Sequence, residues 1–236
     1  MTETLKERYG KVREKIAECC RAAGRNEEEI NLIVVTKFHS CAEIAALLDL
    51  GHVKVGENRA QELVEKHTAL QGYDPEPEWH FIGSLQTNKV RQVVGRTVLI
   101  HSVDSLRLAG QIANRSKRMG LTQEVLLQVN ISGEATKFGF APQELVALWP
   151  ELLMLENIRY RGLMTMAPLG ASEMEAEKIF TATAELLKRL RADIADSAKR
   201  LNFTVLSMGM SQDYPAAIRA GATHLRIGTA IMGERV

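Results

Sequence analysis

Leu32-Ile33-Val34-Val35-Thr36-Lys37 is the stretch that decides the fold. Its first four residues are apolar, three of them β-branched, with no polar alternation. An unbroken run of this kind reads as a strand covered on both faces, as in a parallel sheet sandwiched by helices. Upstream, Ala23-Gly24-Arg25-Asn26 reads as a turn. Before it, Leu5, Tyr9, Val12, Ile16 and Cys19 recur at three- and four-residue steps, with Thr4 and Glu7 spaced as a capping box. The chain is therefore expected to begin with a helix, Thr4–Cys20, that precedes the first strand.

Downstream the same alternation continues to the C-terminus. Further strands are expected at 53–55, 79–82, 98–100, 124–129, 158–161, 204–206 and 223–227, which with 32–36 makes eight. Helix-length stretches separate them, at 41–50, 57–70, 87–94, 105–119, 143–153, 173–201 and 214–220. In the longest, Ser172 and Glu175 are spaced as a capping box, and Ile179, Thr183, Leu187, Leu190 and Ile194 line one face. Eight short strands alternating with helices predict an α/β fold, a (β/α)8 TIM barrel with an extra N-terminal helix. A doubly wound open sheet is the competing arrangement. No linker or low-complexity tract divides the sequence, so residues 1–236 are expected to form one domain.

Composition bounds the function. A compact chain of 236 residues removes roughly 70–75% of its unfolded surface from water. Its 30 Lys and Arg stand against 29 Asp and Glu, so neither a nucleic-acid nor a membrane-surface electrostatic footprint is expected. Cys19, Cys20 and Cys41 are an odd set with no disulfide or zinc spacing, and are expected to be reduced thiols. The charged start lacks the apolar region of a signal peptide, and no apolar run reaches membrane-spanning length. A cytoplasmic location is the expectation. The histidines at 39, 52, 80, 101 and 224 have no metal-ligand spacing, so no metal is expected.

In a barrel of this type the C-terminal ends of the strands form the active face, and the loops after strands seven and eight often hold a phosphate. Side-chain alternation puts Ile33, Val35 and Lys37 in the barrel interior and Leu32, Val34 and Thr36 against the helices. A Lys at an apolar mouth should lose its proton more easily than usual, which suits an imine-forming amine; a solvated loop lysine is the bland reading. Leu206-Ser207-Met208-Gly209-Met210-Ser211 places two hydroxyls around a glycine just before a helix, and Arg226-Ile227-Gly228-Thr229 places another glycine and hydroxyl after strand eight. Each could be only a turn. Together, on the two phosphate-holding loops and opposite Lys37, they suggest a phosphorylated carbonyl compound or pyridoxal phosphate (PLP). Arg226 is expected to point inward, either toward a pyridine nitrogen or as a structural residue paired with a carboxylate.

These residues fall in order with a known pattern: Val35-Thr36-Lys37, Gly56-Glu57-Asn58 with Gln61-Glu62, Trp79 through Lys89, Ser102 through Ser105, Gln128-Val129-Asn130 with Lys137 and Gly139, Gly162 through Met166, and the two segments just quoted. Over nearly its whole length the chain resembles the YggS/PROSC family of PLP homeostasis proteins, whose fold is like the barrel domain of alanine racemase. The resemblance implies that Lys37 forms the internal aldimine, and that Ser207, Gly228 and Thr229 lie around the phosphate with Met208, Gly209 and Arg226 close by. It implies Asn58 beside the ring and His80, Gly83 and Met164 in the cavity wall. Phe38-His39 after the lysine and Arg59-Ala60 depart from commoner forms of the family. Lys137 could meet an aldehyde or anion at the mouth, or be a solvated lysine. Glu57 and Asp104 could orient basic side chains whose identity the sequence does not give.

The resemblance implies a protein that holds and supplies PLP, with apo forms of PLP-dependent enzymes as partners, no amino-acid conversion and a monomeric state. The alternative is a PLP-dependent amino-acid racemase, which needs a base on each face of the bound substrate. The separate domain that supplies one such base in alanine racemase is not expected here, since the sequence ends a few residues past the predicted phosphate loop. The tyrosines at 9, 73, 160 and 214 offer no evident replacement, while a histidine base stays open. A class I aldolase-like barrel with Lys37 as its Schiff-base lysine is a third reading.

Overall fold

A computed structural model describes residues 3–134, 138–196 and 202–233. Helix α1 (Leu5–Ala22) leads into β1 (Asn31–Val35), and the pattern continues through α2 (Cys41–Asp49), β2 (Lys54–Glu57), α3 (Ala60–Ala69), β3 (Glu78–Phe81), α4 (Val90–Val93) and β4 (Leu99–Val103). The second half runs α5 (Leu106–Met119), β5 (Gln123–Gln128), α6 (Pro142–Leu153), β6 (Ile158–Met164), α7 (Glu173–Ala192), β7 (Val205–Ser207), α8 (Tyr214–Arg219), β8 (His224–Ile227) and α9 (Thr229–Met232). The strands pair in sequence order and close, β8 lying parallel to β1 with Ile33 opposite Arg226 and Val34 opposite Ile227. This is a (β/α)8 TIM barrel, not an open sheet.

Alternation along each strand sorts the side chains into two cores. Leu32, Val34, Val55, Phe81, Ile100, Val125, Leu127, Leu163, Leu225 and Ile227 belong to the large buried cluster between barrel wall and helices. Leu99, Leu126, Met164 and Val205 form a separate cluster that fills the barrel itself. Each such side chain taken fully out of water contributes roughly 1.5–3 kcal/mol, so period-two patterning fixes which face of every strand points inward.

Several boundaries differ from the sequence expectation, each for a local reason. The strand expected at 98–100 runs 99–103, leaving Val98 exposed and continuing through His101 and Ser102, both buried despite their polarity. The strand expected at 158–161 extends to Met164 past a register shift opposite Leu126. Glu57, expected at a helix start, instead ends β2 fully buried. The stretch 87–94 divides into a single 3-10 turn, Thr87–Lys89, and the four-residue α4. The longest helix ends at Ala192, and residues 197–201 of its expected span lie outside the described residues. Its capping box forms as spaced, Ser172 Oγ accepting from the Glu175 N–H at 3.3 Å, and so does that of α1.

The extra helix is fastened to the region around β8. Arg8 donates to the carbonyls of Ile231 at 2.7 Å and Met232 at 3.2 Å, the last turn of α9, where a guanidinium also meets the negative end of the helix dipole. Just beyond α1, Arg25 donates to the carbonyls of Ile218 at 2.9 Å and Ala222 at 2.7 Å, which bracket the approach to β8. Helix α1 therefore clamps the segments that carry the turn after β8.

Candidate functional site

A cavity of about 520 Å³ opens at the C-terminal ends of β1, β7 and β8, lined by Val35, Lys37, His39, Met210, Ser211, Arg226, Gly228, Thr229 and Gly233. A space of 300–1,000 Å³ is the ordinary size of a small-molecule site. Lys37 reaches it from the turn after β1, where it stands half-buried at the rim, not sunk in the apolar interior. Facing it, Gly228 starts α9. A Cβ at this glycine would come within 3.2 Å of the Val35 Cβ, so the turn after β8 lies directly against the end of β1. The N–H groups of Thr229 and Ala230, in the first turn of a helix, have no acceptor within it. With the hydroxyls of Thr229 and Ser211 they give the cavity a donor-rich end opposite the amine.

Arg226 rises from the barrel interior to close the cavity floor. It is almost fully buried, and burial pulls its pKa down to about 10, against a smaller opposing effect from Asp213, so it stays a cation at neutral pH. Its partners are the Ser207 hydroxyl at 2.6 Å and the Thr165 carbonyl at 2.9 Å. The carboxylate partner considered from sequence is not present among the described residues.

Below Arg226 a chain of hydrogen bonds crosses the barrel. Ser207 Oγ lies 2.8 Å from His101 Nδ1, and His101 Nε2 lies 3.0 Å from His80 Nδ1. Burial holds both imidazoles neutral, lowering His80 to about 3 and His101 well below its ordinary value. Arg only donates, so the Ser207 oxygen accepts from it. At the far end of the chain His80 Nε2 is a buried atom with no hydrogen-bond partner. His224 packs edge-on against both rings, at centroid distances of 6.4 and 6.2 Å.

The residues singled out from sequence thus fall into groups. Lys37, Arg226, Gly228 and Thr229 line one cavity. Asn58 sits on the exit loop of β2, with a buried Oδ1 that lacks a partner. Gly83 packs against that loop: a Cβ there would lie 2.1 Å from the Asn58 carbonyl oxygen, so only glycine lets the β3 exit support Asn58 from beneath. Ser207 and His80 belong to the chain under Arg226, and Met164 to the apolar filling of the barrel. Met208 points outward into the core between wall and helices. Gly209, at φ +97, lets the turn press on α8, where a Cβ would come within 2.7 Å of the Ala217 Cβ. Lys137 lies outside the described residues.

Sequence reasoning puts both hydroxyls of the Ser207–Ser211 segment on a phosphate-holding loop but carries only Ser207 forward, and it gives His101 no role. The spacing Ser207–Ser211 carries a usable signal, because the inward Ser at the strand end is too deep to meet a ligand at the mouth. The tyrosines stand away from the cavity: Tyr9 bonds to His52, Tyr73 to Asp49, Tyr160 packs on Trp149, and Tyr214 is buried in the outer core. Among the described residues no group of three or more His, Cys, Asp or Glu is placed to hold a metal ion, and no helix is long and apolar enough to cross a membrane.

Residues 9–236 match the family described as alanine racemase, N-terminal domain. A pyridoxal phosphate homeostasis protein of Aquifex aeolicus is 40% identical over 229 residues, covering 97% of both chains. The solved structure of PipY from Synechococcus elongatus PCC7942 with PLP bound is 36% identical, covering 92% of this chain and all of that one, with a TM-score of 0.80. Alanine racemase of Clostridium difficile 630 in complex with cycloserine is 21% identical with a TM-score of 0.67, and this chain covers 58% of it, a likeness of fold.

Proposed function

This chain belongs to the pyridoxal phosphate homeostasis protein family, and from that premise we propose that it holds PLP at the mouth cavity, on Lys37, and serves intracellular PLP supply. The observation that carries the reading is a primary amine, a buried cation and a donor-rich turn sharing one cavity of about 520 Å³. PLP brings an aldehyde that condenses with a primary amine, one water leaving, an aromatic pyridine and a phosphate dianion. The residues fit each part. Lys37 supplies the amine. The N–H groups at the start of α9, with Thr229 and Ser211, suit a dianion. Arg226, still protonated, would donate toward a pyridine nitrogen and disfavour its protonation, because a pyridinium there would set two cations at hydrogen-bond distance. Asn58, whose buried Oδ1 has no hydrogen-bond partner, stands on the neighbouring exit loop of β2 and is not itself among the residues lining this cavity.

The same features favour holding over converting. An arginine that keeps the ring nitrogen unprotonated weakens it as an electron sink. Racemisation also needs a second proton carrier; among the described residues the other titratable side chain lining the cavity is His39, whose Nδ1 lies 2.9 Å from Glu43 Oε1. We therefore read the chain as a cytoplasmic, single-domain carrier that passes PLP to apo forms of PLP-dependent enzymes, with no amino-acid turnover of its own.

Reconstitution with PLP followed by borohydride tests this. The reduced cofactor mass is expected on Lys37, and Lys37→Ala is expected to lose the fixed adduct while keeping weaker, phosphate-anchored binding. An adduct on another lysine, or none, overturns the assignment. Exchange of an amino acid's α-proton in deuterated water would return the racemase reading.

A further inference from the structure

We propose that Lys66, on α3 and outside the barrel wall, is the positioning residue that presents the Lys37 amine to the cavity, acting through the peptide groups on either side of Lys37. The inference rests on the reading of Lys37 as the PLP-capturing amine.

The geometry is a buried knot on the outer side of β1 and β2. Lys66 Nζ donates to the Thr36 carbonyl at 2.9 Å, to Glu57 Oε1 at 2.8 Å and to Glu62 Oε2 at 3.2 Å. An ammonium has three donors, and all three are used. The Thr36 hydroxyl donates to the same Glu57 oxygen at 2.6 Å, and the Phe38 N–H donates to the same Glu62 oxygen at 2.9 Å. The knot therefore holds the carbonyl of the residue before Lys37 and the N–H of the residue after it. Lys37 lies between two fixed peptides, and its side chain projects through the wall to the opposite side.

Two features separate this from an ordinary helix-to-strand contact. The backbone it grips is in an unfavourable conformation: Phe38 has φ 67, a left-handed geometry that a bulky side chain adopts only when its surroundings enforce it. The knot is also a costly way to dock a helix. Glu57 is fully buried and its second oxygen, Oε2, has no partner, so the carboxylate depends on Lys66. Apolar side chains of α3 such as Leu63 already dock that helix to the wall. What the charged residues add is the direction of the turn.

A small error of placement at a reacting atom slows bond formation far more than it weakens binding of the rest of the ligand. The test therefore separates capture of the aldehyde from occupancy of the cavity. Two probes are used on the full chain: PLP, with borohydride-fixed adduct on Lys37 followed against time, and pyridoxine phosphate, which has an alcohol where PLP has the aldehyde. In Glu57→Gln/Lys66→Met, where both buried charges are removed together, capture is expected to slow about tenfold while pyridoxine phosphate affinity stays within about twofold. Glu62→Leu, at a more exposed position, frees the Phe38 N–H and one of the three Lys66 donors while leaving the Lys66–Glu57 pair in place; it keeps the test alive should the double variant fail to fold, and is expected to slow capture by about threefold. Equal loss of capture and pyridoxine phosphate binding would make the knot merely structural and overturn the proposal, as would unchanged capture in the folded variants. If the unaltered protein forms no adduct on Lys37, the reading of the site fails first and the positioning role falls with it.

Discussion

The barrel wall carries a buried polar network on each side, and the two are built by opposite electrostatic rules. Outside, the Lys66 amine pairs with the Glu57 and Glu62 carboxyls through short contacts. Inside, Arg226 is the cation, and Ser207, His101 and His80 beneath it are neutral. The outer network grips backbone and so fixes a turn. The inner one holds a guanidinium through a relay of hydroxyl and imidazoles, and so fixes a side chain. A buried ion pair suits the first task, because peptide groups are weak partners that need a strong local field. A neutral relay suits the second, because another charge beside Arg226 would compete with whatever it faces in the cavity.

The largest expected effect comes from breaking the outer network on one side only. Lys66→Met leaves Glu57 buried without its counter-charge, and removing one member of a buried pair typically costs about 3–5 kcal/mol. Urea unfolding should show a loss of that order, and a smaller one in Glu57→Gln/Lys66→Met, where no bare charge remains. A double variant as unstable as the single would mean that the helix contact, not charge compensation, is what the knot supplies.

An intermediate effect separates the two networks by pH. Burial lowers His224 from its ordinary value near 6.5 to about 4, with Lys54, Arg161 and Arg226 adding to the shift. The folded state then binds fewer protons than the unfolded chain between those values. Its contribution is complete above pH 6.5 and is lost as pH falls toward 4. His80 and His101 act with the same sign. Glu57 acts in the opposite sense: burial raises its pKa, so the folded state binds protons more readily than the unfolded one there. His224→Gln should flatten the dependence of stability on pH between 6.5 and 4 by on the order of 1 kcal/mol per pH unit, read as urea midpoints across that range. An unchanged slope would assign the acid sensitivity to groups other than His224.

This asymmetry also marks how far the sequence could be read. The strands were legible because a parallel barrel buries both faces, leaving apolar β-branched runs such as Leu32–Val35 and short exits bearing Gly, Ser and Thr. Alternation sent Lys37 and Arg226 inward, and both reach the cavity. Alternation gives the side of the wall but not the depth. Ser207, expected around the phosphate, sits a layer below the mouth with Arg226 and His101, while Ser211 lines the cavity. Strand β4 was cut short in the reading because His101 and Ser102 look like a polar exit, whereas His101 continues the strand and bonds inside the barrel. Lys66 gave little sign of itself: Glu62 and Lys66 are four apart on a helix, which ordinarily indicates a solvated pair, and only the fold brings Glu57 to meet them.

The smallest expected effect is the sharpest probe of what holds the Lys37 turn. Phe38 is exposed, its ring 4.6 Å from the Arg59 guanidinium, and its backbone is left-handed. In Phe38→Gly the left-handed strain, about 1–2 kcal/mol for an L-residue, disappears. Against that stand the greater freedom of glycine in the unfolded chain, roughly 0.5–1 kcal/mol, and the loss of an exposed cation–π contact of about the same size. These terms nearly cancel, so stability should stay within about 1 kcal/mol of the parent. Because the Phe38 N–H remains available to Glu62, capture of PLP on Lys37 should be almost unchanged, in contrast to the Lys66 variants. A substitution that erases the side chain but keeps the N–H therefore asks whether the turn is held by its backbone bonds or by the contact of the aromatic ring with Arg59. A loss of capture in Phe38→Gly as large as that from removing the knot would assign the turn to the ring.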